Sequence, residues 1–203
     1  MRIHLIRHGQ TEMNAIHTID TDVPGALLTE KGHGQAASLV SRLDGVPVDV
    51  LYVSNLTRTH QTAAPFAQAR GLDPIERAGL KEVEAGIWEG GHDDVAYQGY
   101  YSAMLAWFDG KMDVRMGEGV TGAETMDRFD TVIREIELSG AQDVAIVSHG
   151  AMIGCWAGIR AEGLTQHHLI DRHLDNTGMC VVEGSLDSGY RAISWAGEAI
   201  FAG

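Results

Sequence analysis

The chain has 203 residues, 44% of them hydrophobic, which is enough to bury one good core and too few for two large domains. Its 15 Lys and Arg stand against 28 Asp and Glu, a formal charge of -13 that repels polyanions at long range and argues against nucleic acid or an anionic membrane surface as partner. No stretch approaches the roughly 20 apolar residues of a membrane helix, and Met1 to His8 is charged too soon for a signal peptide, so a soluble cytoplasmic protein is expected.

In chain order, Ile3 to Arg7 is a short apolar run that ends in Arg7-His8-Gly9, as a buried strand would. Thr29 then caps a helix that sets Ala36, Leu39, Val40 and Leu43 on one face. Val48 to Ser54 predicts a second strand, followed by a helix from about Leu56 to Arg70, with Gly71 as its stop and Pro65 either kinking it or opening a second segment. Pro74 to Gly79 predicts a third strand. From about Gly90 to Gly122 the rhythm breaks into a stretch rich in Gly, Tyr, Trp and Asp, with a weak helical pattern around Tyr101 to Phe108. It is longer than an ordinary connection and is expected to be an insertion, either a lid over a site or a homodimer contact.

A helix from about Glu124 to Leu138 follows, its face made by Phe129, Val132, Ile133 and Ile136; further strands are expected at Val144 to His149, Met179 to Glu183 and Tyr190 to Ser194. Strands alternating with helices predict one α/β domain over residues 1–203, a three-layer sandwich with a mainly parallel central sheet flanked by helices. Cys155 and Cys180 fit no CxxC or zinc-ligand spacing and read as small buried hydrophobes, with a disulfide the lesser reading.

In parallel α/β sheets the ligand crevice lies outside the carboxyl ends of the strands. The first strand delivers Arg7 and His8 there, with Gly9 allowing a sharp turn and close approach to a ligand. Val144-Ala145-Ile146-Val147-Ser148-His149-Gly150 repeats the strand-His-Gly arrangement, and Ser54-Asn55-Leu56-Thr57-Arg58 follows the strand Val48 to Val53. A lone His or Arg at a strand end is as a rule structural or solvated. Two histidines and two arginines brought to one sheet edge, against an acidic background, instead make an anion site.

Leu5-Ile6-Arg7-His8-Gly9-Gln10-Thr11 with Asn14 resembles the signature of the histidine phosphatase (phosphoglycerate mutase-like) superfamily. The resemblance continues through Leu28-Thr29-Glu30-Lys31-Gly32 with Gln35-Ala36, Ser54 to Thr59 with Gln61-Thr62-Ala63, Leu80-Lys81-Glu82 with Gly86 to Gly90, and Ser148-His149-Gly150. These ordered blocks span residues 3 to about 160. The resemblance implies a phosphoglycerate mutase-like fold and a phosphomonoester hydrolase that acts on a small phosphorylated metabolite. His8 would be the nucleophile that takes the phosphoryl group, its other ring nitrogen oriented by a backbone carbonyl. Arg7, Arg58 and His149 would surround the phosphoryl oxygens. Asn14, Gln10, Thr11, Gly150 and the backbone from Gly9 to Thr11 would help to bind the phosphate. Glu82, partly buried beside Val83 and Trp88, would protonate the leaving oxygen and then activate water, while Glu84 and Glu89 are read as bystanders. Guanidinium and imidazolium groups would neutralise the charge, so neither metal nor cofactor is implied.

Within that resemblance a cofactor-dependent phosphoglycerate mutase is the runner-up. It would need a Lys and paired arginines after the Glu82 block to hold a second anionic group, and only Lys111 and Arg115 stand between residues 82 and 127. The acid phosphatase branch is disfavoured because His149 is followed by Gly150 rather than Asp. A non-catalytic module that binds phosphorylated ligands is the alternative of another class, weakened by the presence of His8, Arg58 and Glu82. Pro24-Gly25-Ala26 lengthens the approach to Leu28-Thr29 and departs from the pattern. Gly117-Glu118-Gly119-Val120-Thr121-Gly122 spells GxGxxG but follows no strand, so it is not read as a dinucleotide site. His167, His168 and His173 lack metal-ligand spacing and are expected on the surface, whereas His60 is expected near the pocket entrance.

Overall fold

The strands are β1 (Arg2–Arg7), β2 (Val50–Val53), β3 (Ile75–Glu76), β4 (Asp143–Ser148), β5 (Ala161–Glu162), β6 (Met179–Ser185), β7 (Gly189–Trp195) and β8 (Glu198–Ala199). The helices are α1 (Glu12–Ala15), α2 (Glu30–Arg42), α3 (Thr57–Arg70), α4 (Asp94–Phe108), α5 (Gly122–Ser139), α6 (Gly150–Arg160) and α7 (Gln166–Ile170). This is a computed structural model, and it describes residues 1–201.

One sheet runs in the order β3-β2-β4-β1-β6-β7-β5, with β8 added to β7. The block β3-β2-β4-β1 is parallel throughout, while β6 lies antiparallel to both β1 and β7. The sheet is therefore mixed, and the parallel block is the half that carries the candidate chemistry. β1 and β4 are buried on both faces, which explains their near-continuous apolar sequences.

Alternation along β1 sends Ile3 and Leu5 to one face and Ile6 to the other. The first face packs on α4, α5 and α6 through Met104, Trp107, Phe129, Ile133, Ile153 and Trp156. The second packs on α2 and α3 through Leu39, Leu43, Ala63 and Phe66. Three layers follow, as the sequence pattern predicts.

Thr29 caps α2 through a hydrogen bond from the Gly32 N–H, and Gly71 closes α3 at φ 65, the left-handed conformation that glycine adopts freely. Pro65 lies inside a continuous α3. Val40 is 37% exposed, so the buried stripe of α2 is Ala36 and Leu39 with Leu43 just beyond. The strand expected from Pro74 to Gly79 is only two residues long, because the chain then turns through a 3-10 helix at Ala78–Leu80 to pack against α5.

Two helices exceed their sequence patterns. α4 spans 15 residues, capped by the Asp93 side chain, and buries Ala96, Tyr100, Ala103, Met104 and Trp107. α6 is covered on nearly all sides, with Met152 to Ala157 all buried, so it shows no amphipathic period. Among the described residues no helix is long and apolar enough to cross a membrane.

Candidate active site

His8 follows the carboxyl end of β1, where its backbone N–H extends the ladder to the Ser148 carbonyl at 3.0 Å. The side chain is 3% exposed. Its Nδ1 lies 2.7 Å from the Gly9 carbonyl, and a carbonyl can only accept, so Nδ1 carries the proton. In the neutral ring Nε2 then holds a free lone pair. Burial, reinforced by Arg58 and Arg7, pushes the His8 pKa well below its ordinary value, so the neutral form prevails. Gly9 is required because a Cβ there would stand 2.7 Å from the Gly32 carbonyl oxygen at the start of α2.

His149, at the end of β4, meets His8 edge to face with ring centroids 5.2 Å apart. Arg58 Nε–H donates to His149 Nδ1 at 3.3 Å, and His149 Nε2 lies 2.7 Å from Ser54 Oγ, to which it must donate in the neutral tautomer. Burial and then Arg58 depress its pKa far below the ordinary value. The imidazolium expected here is thus a neutral imidazole, whose Nδ1 accepts from Arg58, and the positive charge comes from the guanidinium groups.

Arg58 begins α3 and is 2% exposed. Its Nη1 pairs with Asp20 Oδ2 at 3.0 Å and its Nη2 donates to the Asp20 carbonyl at 2.8 Å. Asp20 stands in no quoted motif, and the sequence reading missed it. The Pro24-Gly25-Ala26 departure belongs to the same arrangement: Gly25, at φ 72, lies so close to Arg58 Nη1 that a Cβ would collide with it, and the Ala26 N–H donates to Asp20 Oδ2 at 2.9 Å.

Arg7 donates from Nη1 to the Leu174 carbonyl at 2.5 Å, while its buried Nε has no partner among the described residues. Burial lowers the pKa of both arginines, opposed mainly by Glu82 at Arg7 and by Asp20 at Arg58. Both start so high that they stay charged. Gly150 packs on Arg7, its Cβ position 3.1 Å from Nε.

The turn after β1 departs from expectation. The Gly9 N–H goes to Thr62 Oγ1, the Gln10 N–H to Gln35 Oε1 and the Thr11 N–H to Asn14 Oδ1, so these amides are already committed. Thr11 itself is buried as the cap of α1, accepting from the Asn14 N–H, and does not line the cavity. Gln10 and Asn14 do line it. Asn14 Oδ1 also accepts from Asn176 Nδ2 at 3.0 Å, and Asn176 braces the His8 carbonyl at 3.2 Å. Asn176 lies in the distant segment before β6, which no motif pointed to.

Glu82 lines the same cavity. Its Oε1 accepts from the Val83 and Met152 N–H groups at 2.8 Å each and its Oε2 from the Ala151 N–H at 3.3 Å, so the carboxylate sits on the first turn of α6. The segment behind it is held by Arg128 of α5, which donates to the carbonyls of Gly79, Lys81 and Glu82 at 2.7, 2.8 and 2.7 Å. Glu84 instead pairs with Lys81, and Glu89 accepts from the Thr21 N–H at 2.9 Å; neither lines the cavity.

The cavity holds about 1290 Å³. α4 supplies one of its walls, through Tyr97, Tyr101 and Leu105 among others. Lys111 lies near Asp109 at 3.8 Å and Arg115 donates to the Gly119 carbonyl at 2.8 Å; neither reaches the cavity. His60 pairs with Glu76 at 2.9 Å away from the entrance, whereas His173 and His17 line it. His167 bonds Asp171, and His168 packs on Trp195. Gly117 to Val120 form a loop, Thr121 caps α5 in a capping box with Glu124, and Gly122 is the first residue of that helix.

Comparisons with known proteins identify the family and the fold. A family model described as the histidine phosphatase superfamily (branch 1) matches residues 3–195. The chain is 30% identical over 213 residues to the PE-PGRS family protein PE_PGRS11 of Mycobacterium tuberculosis, covering 96% of this chain and 36% of that protein. It thus spans little more than a third of that relative. It is 32% identical over 158 residues to the "Probable phosphoglycerate mutase GpmB" of Escherichia coli, covering 76% of this chain and 72% of that protein. Among solved structures, a mycobacterial glucosyl-3-phosphoglycerate phosphatase superposes with a TM-score of 0.79 at 21% identity, covering 97% of this chain and 99% of that one. The α-ribazole phosphatase of Shigella flexneri gives 0.73 at 25% identity, with each chain covered in full at 100%.

Proposed function

Because the chain belongs to branch 1 of the histidine phosphatase superfamily, we propose that it hydrolyses phosphomonoesters of small metabolites through a phosphohistidine on His8. The observation that carries this reading is the hydrogen bond from His8 Nδ1–H to the Gly9 carbonyl, which leaves the Nε2 lone pair for the cavity shared with Arg7, Arg58 and Glu82.

In the first step Nε2 bonds to phosphorus as the ester P–O bond breaks, and Glu82, entering as the carboxylic acid, gives its proton to the leaving alcohol. The His8 ring becomes a phosphoimidazolium, whose positive charge the Gly9 carbonyl stabilises through Nδ1–H. Arg7 and Arg58 meet the charge on the phosphoryl oxygens. In the second step Glu82 takes a proton from water as its oxygen attacks phosphorus. The P–N bond breaks, and phosphate and neutral His8 are restored. Asn14 and Gln10 hold the phosphate as donors from the side, with Gly150 leaving room for Arg7, and His149 orients Arg58 through Nδ1.

The guanidinium groups supply the charge that a metal would otherwise provide, so activity is expected to survive chelation. Lys111 and Arg115 lie outside the cavity, which favours water over a phosphorylated sugar acid as the acceptor. α4 serves as the lid of the site in this reading. The free thiols of Cys155 and Cys180, both buried, suit a reducing compartment such as the cytoplasm.

The test is phosphate release from an aryl phosphate with and without EDTA, in wild type and His8→Ala. Loss in the variant with unchanged circular dichroism supports the reading; full activity in the variant removes His8 as nucleophile. 3-Phosphoglycerate primed with the bisphosphate separates the alternatives, since interconversion faster than phosphate release would establish a mutase.

A further inference from the structure

The His8 cavity, at about 1290 Å³, is larger than the roughly 300–1,000 Å³ of most small-ligand sites and far exceeds a phosphoryl group. Beyond the phosphoryl end its walls differ in chemistry. On α4, Tyr97 and Tyr101 stand four residues apart on one face, their rings within 18° of parallel and their centroids 6.4 Å apart. Leu105 of α4 and Leu169 and Ile170 of α7 continue this apolar side. Tyr100 also lines the cavity but is buried, with its hydroxyl spent on the Val83 carbonyl at 2.9 Å. The hydroxyls of Tyr97 and Tyr101 instead have no hydrogen-bond partner among the described residues, and both residues line the cavity. Burial raises both phenol pKa values, that of Tyr101 to about 12, so both remain protonated donors.

The opposite side is polar. Gln10 accepts from the Thr29 hydroxyl through Oε1 and Gln35 accepts from the Gln10 N–H through Oε1, which leaves the carboxamide NH2 of each to donate elsewhere. The Lys and Arg side chains lining the cavity are Arg7, Arg58 and Lys31, and the two arginines belong to the phosphoryl end. A second phosphate or carboxylate on the substrate would meet Lys31 as the one remaining Lys or Arg among the described residues, with His17 and His173 at the entrance and Asp20, Glu82 and Asp175 as opposing carboxylates. A ring with an apolar face and a hydroxylated edge would meet matching chemistry on both sides.

We propose that the Tyr97–Tyr101 wall is a subsite for a cyclic, hydroxylated leaving group, so that the substrate is a sugar or nucleoside monophosphate ester. The ring lies against the tyrosines and its hydroxyl edge faces Gln10 and Gln35. The substrate class rests on the phosphatase reading; the subsite rests on the cavity alone.

The experiment is therefore a binding measurement. Calorimetry on the His8→Ala protein, which cannot turn over the ester, compares glucose 6-phosphate, AMP, glycerol 3-phosphate and 3-phosphoglycerate. A ring ester is expected to bind about tenfold tighter than glycerol 3-phosphate, and adding Tyr97→Ala or Tyr101→Ala is expected to remove most of that advantage. Tyr101→Phe should keep it, because the ring remains. Tyr97→Leu and Tyr101→Leu, which keep apolar volume without a flat face, replace the Ala variants if those fail to fold. The better of glucose 6-phosphate and AMP distinguishes sugar from nucleoside. Equal affinity for the three-carbon and ring esters, tightest binding of 3-phosphoglycerate, or an equal loss on all esters in the Tyr variants overturns the subsite. Ring-selective binding by a wild-type protein that releases no phosphate would keep the subsite and overturn the phosphatase reading instead.

Discussion

Arg128 donates to the backbone carbonyl of Glu82 at 2.7 Å, and the same guanidinium holds the carbonyls of Gly79 and Lys81. A half-buried arginine of α5 thus anchors the segment that carries the proposed proton donor. Arg128→Ala leaves these carbonyls without their donor and lets Glu82 drift, and a displacement of about 1 Å from productive geometry can cost on the order of 100-fold in rate. We expect turnover of an alkyl phosphate, whose leaving oxygen needs a proton, to fall much more than turnover of p-nitrophenyl phosphate. Equal losses on the two esters would assign Arg128 a purely structural part.

Glu82 and Glu84 offer a direct contrast. Glu82 rests on the first amides of α6 inside the cavity, whereas Glu84 is tied to Lys81 outside it. Glu82→Gln is expected to lower kcat by about 100-fold or more, within the usual range for general acid–base catalysis. Glu84→Gln should stay within about twofold, since its half-buried pair with Lys81 lies outside the cavity. Steady-state kinetics on both variants decides the matter, and a larger loss for Glu84→Gln would move the proton donor.

Asp20 holds two of the nitrogens of Arg58, and its negative charge opposes any anion that approaches. Asp20→Asn is expected to tighten the binding of sulfate as a competitive inhibitor several-fold while slowing turnover, because Arg58 gains free charge and loses its fixed orientation. Asp20→Ala leaves the buried guanidinium unpaired and should destabilise the fold by about 3 kcal/mol. Inhibition constants and urea denaturation read the two effects separately; weaker sulfate binding in Asp20→Asn would refute the first.

Three buried histidines set the acid behaviour of the fold. His4, His8 and His149 all have depressed pKa values, chiefly through burial. The unfolded chain titrates near about 6.5, so below that pH it binds more protons than the folded protein, and stability falls as pH drops from about 6.5. Both buried ring nitrogens of His4 lack hydrogen-bond partners among the described residues. His4→Leu is therefore expected to raise stability by about 1 kcal/mol at pH 7 and to flatten the decline toward pH 5. Urea denaturation at pH 5, 6 and 7 measures both, and an unchanged slope would show that His4 takes no part.

Residues whose role follows from the end of a strand were legible in the sequence. His8, Arg7 and His149 lie where apolar runs stop, and a run of that kind has a single direction and a single end. α6 was not legible because a helix covered on nearly all sides carries no period. Most of α4 was not because its less buried positions, Val95, Tyr97, Tyr101, Leu105 and Phe108, are also apolar or aromatic and blur the stripe of Ala96, Tyr100, Ala103, Met104 and Trp107. Asp20, Asn176 and Arg128 were missed for a different reason. Each acts by reaching across to a distant backbone or side chain, Arg128 over 46 positions and Asn176 over 168, and local spacing cannot encode such meetings. The expectation that the turn from Gly9 to Thr11 would offer free amides failed because Thr62, Gln35 and Asn14 already occupy them.

That occupied turn has a consequence for how the site can change. A phosphate cradle made of main-chain N–H groups survives almost any substitution, since every residue but proline brings the same donor. In this turn the donors are spent on the protein itself, and in the proposed mechanism recognition passes to Arg7, Asn14, Gln10 and Arg58, each of which a single codon can replace. The backbone supplies a rigid mount and the side chains supply the affinity, so the same scaffold can lose its taste for anions, or gain another, without any shift in its fold.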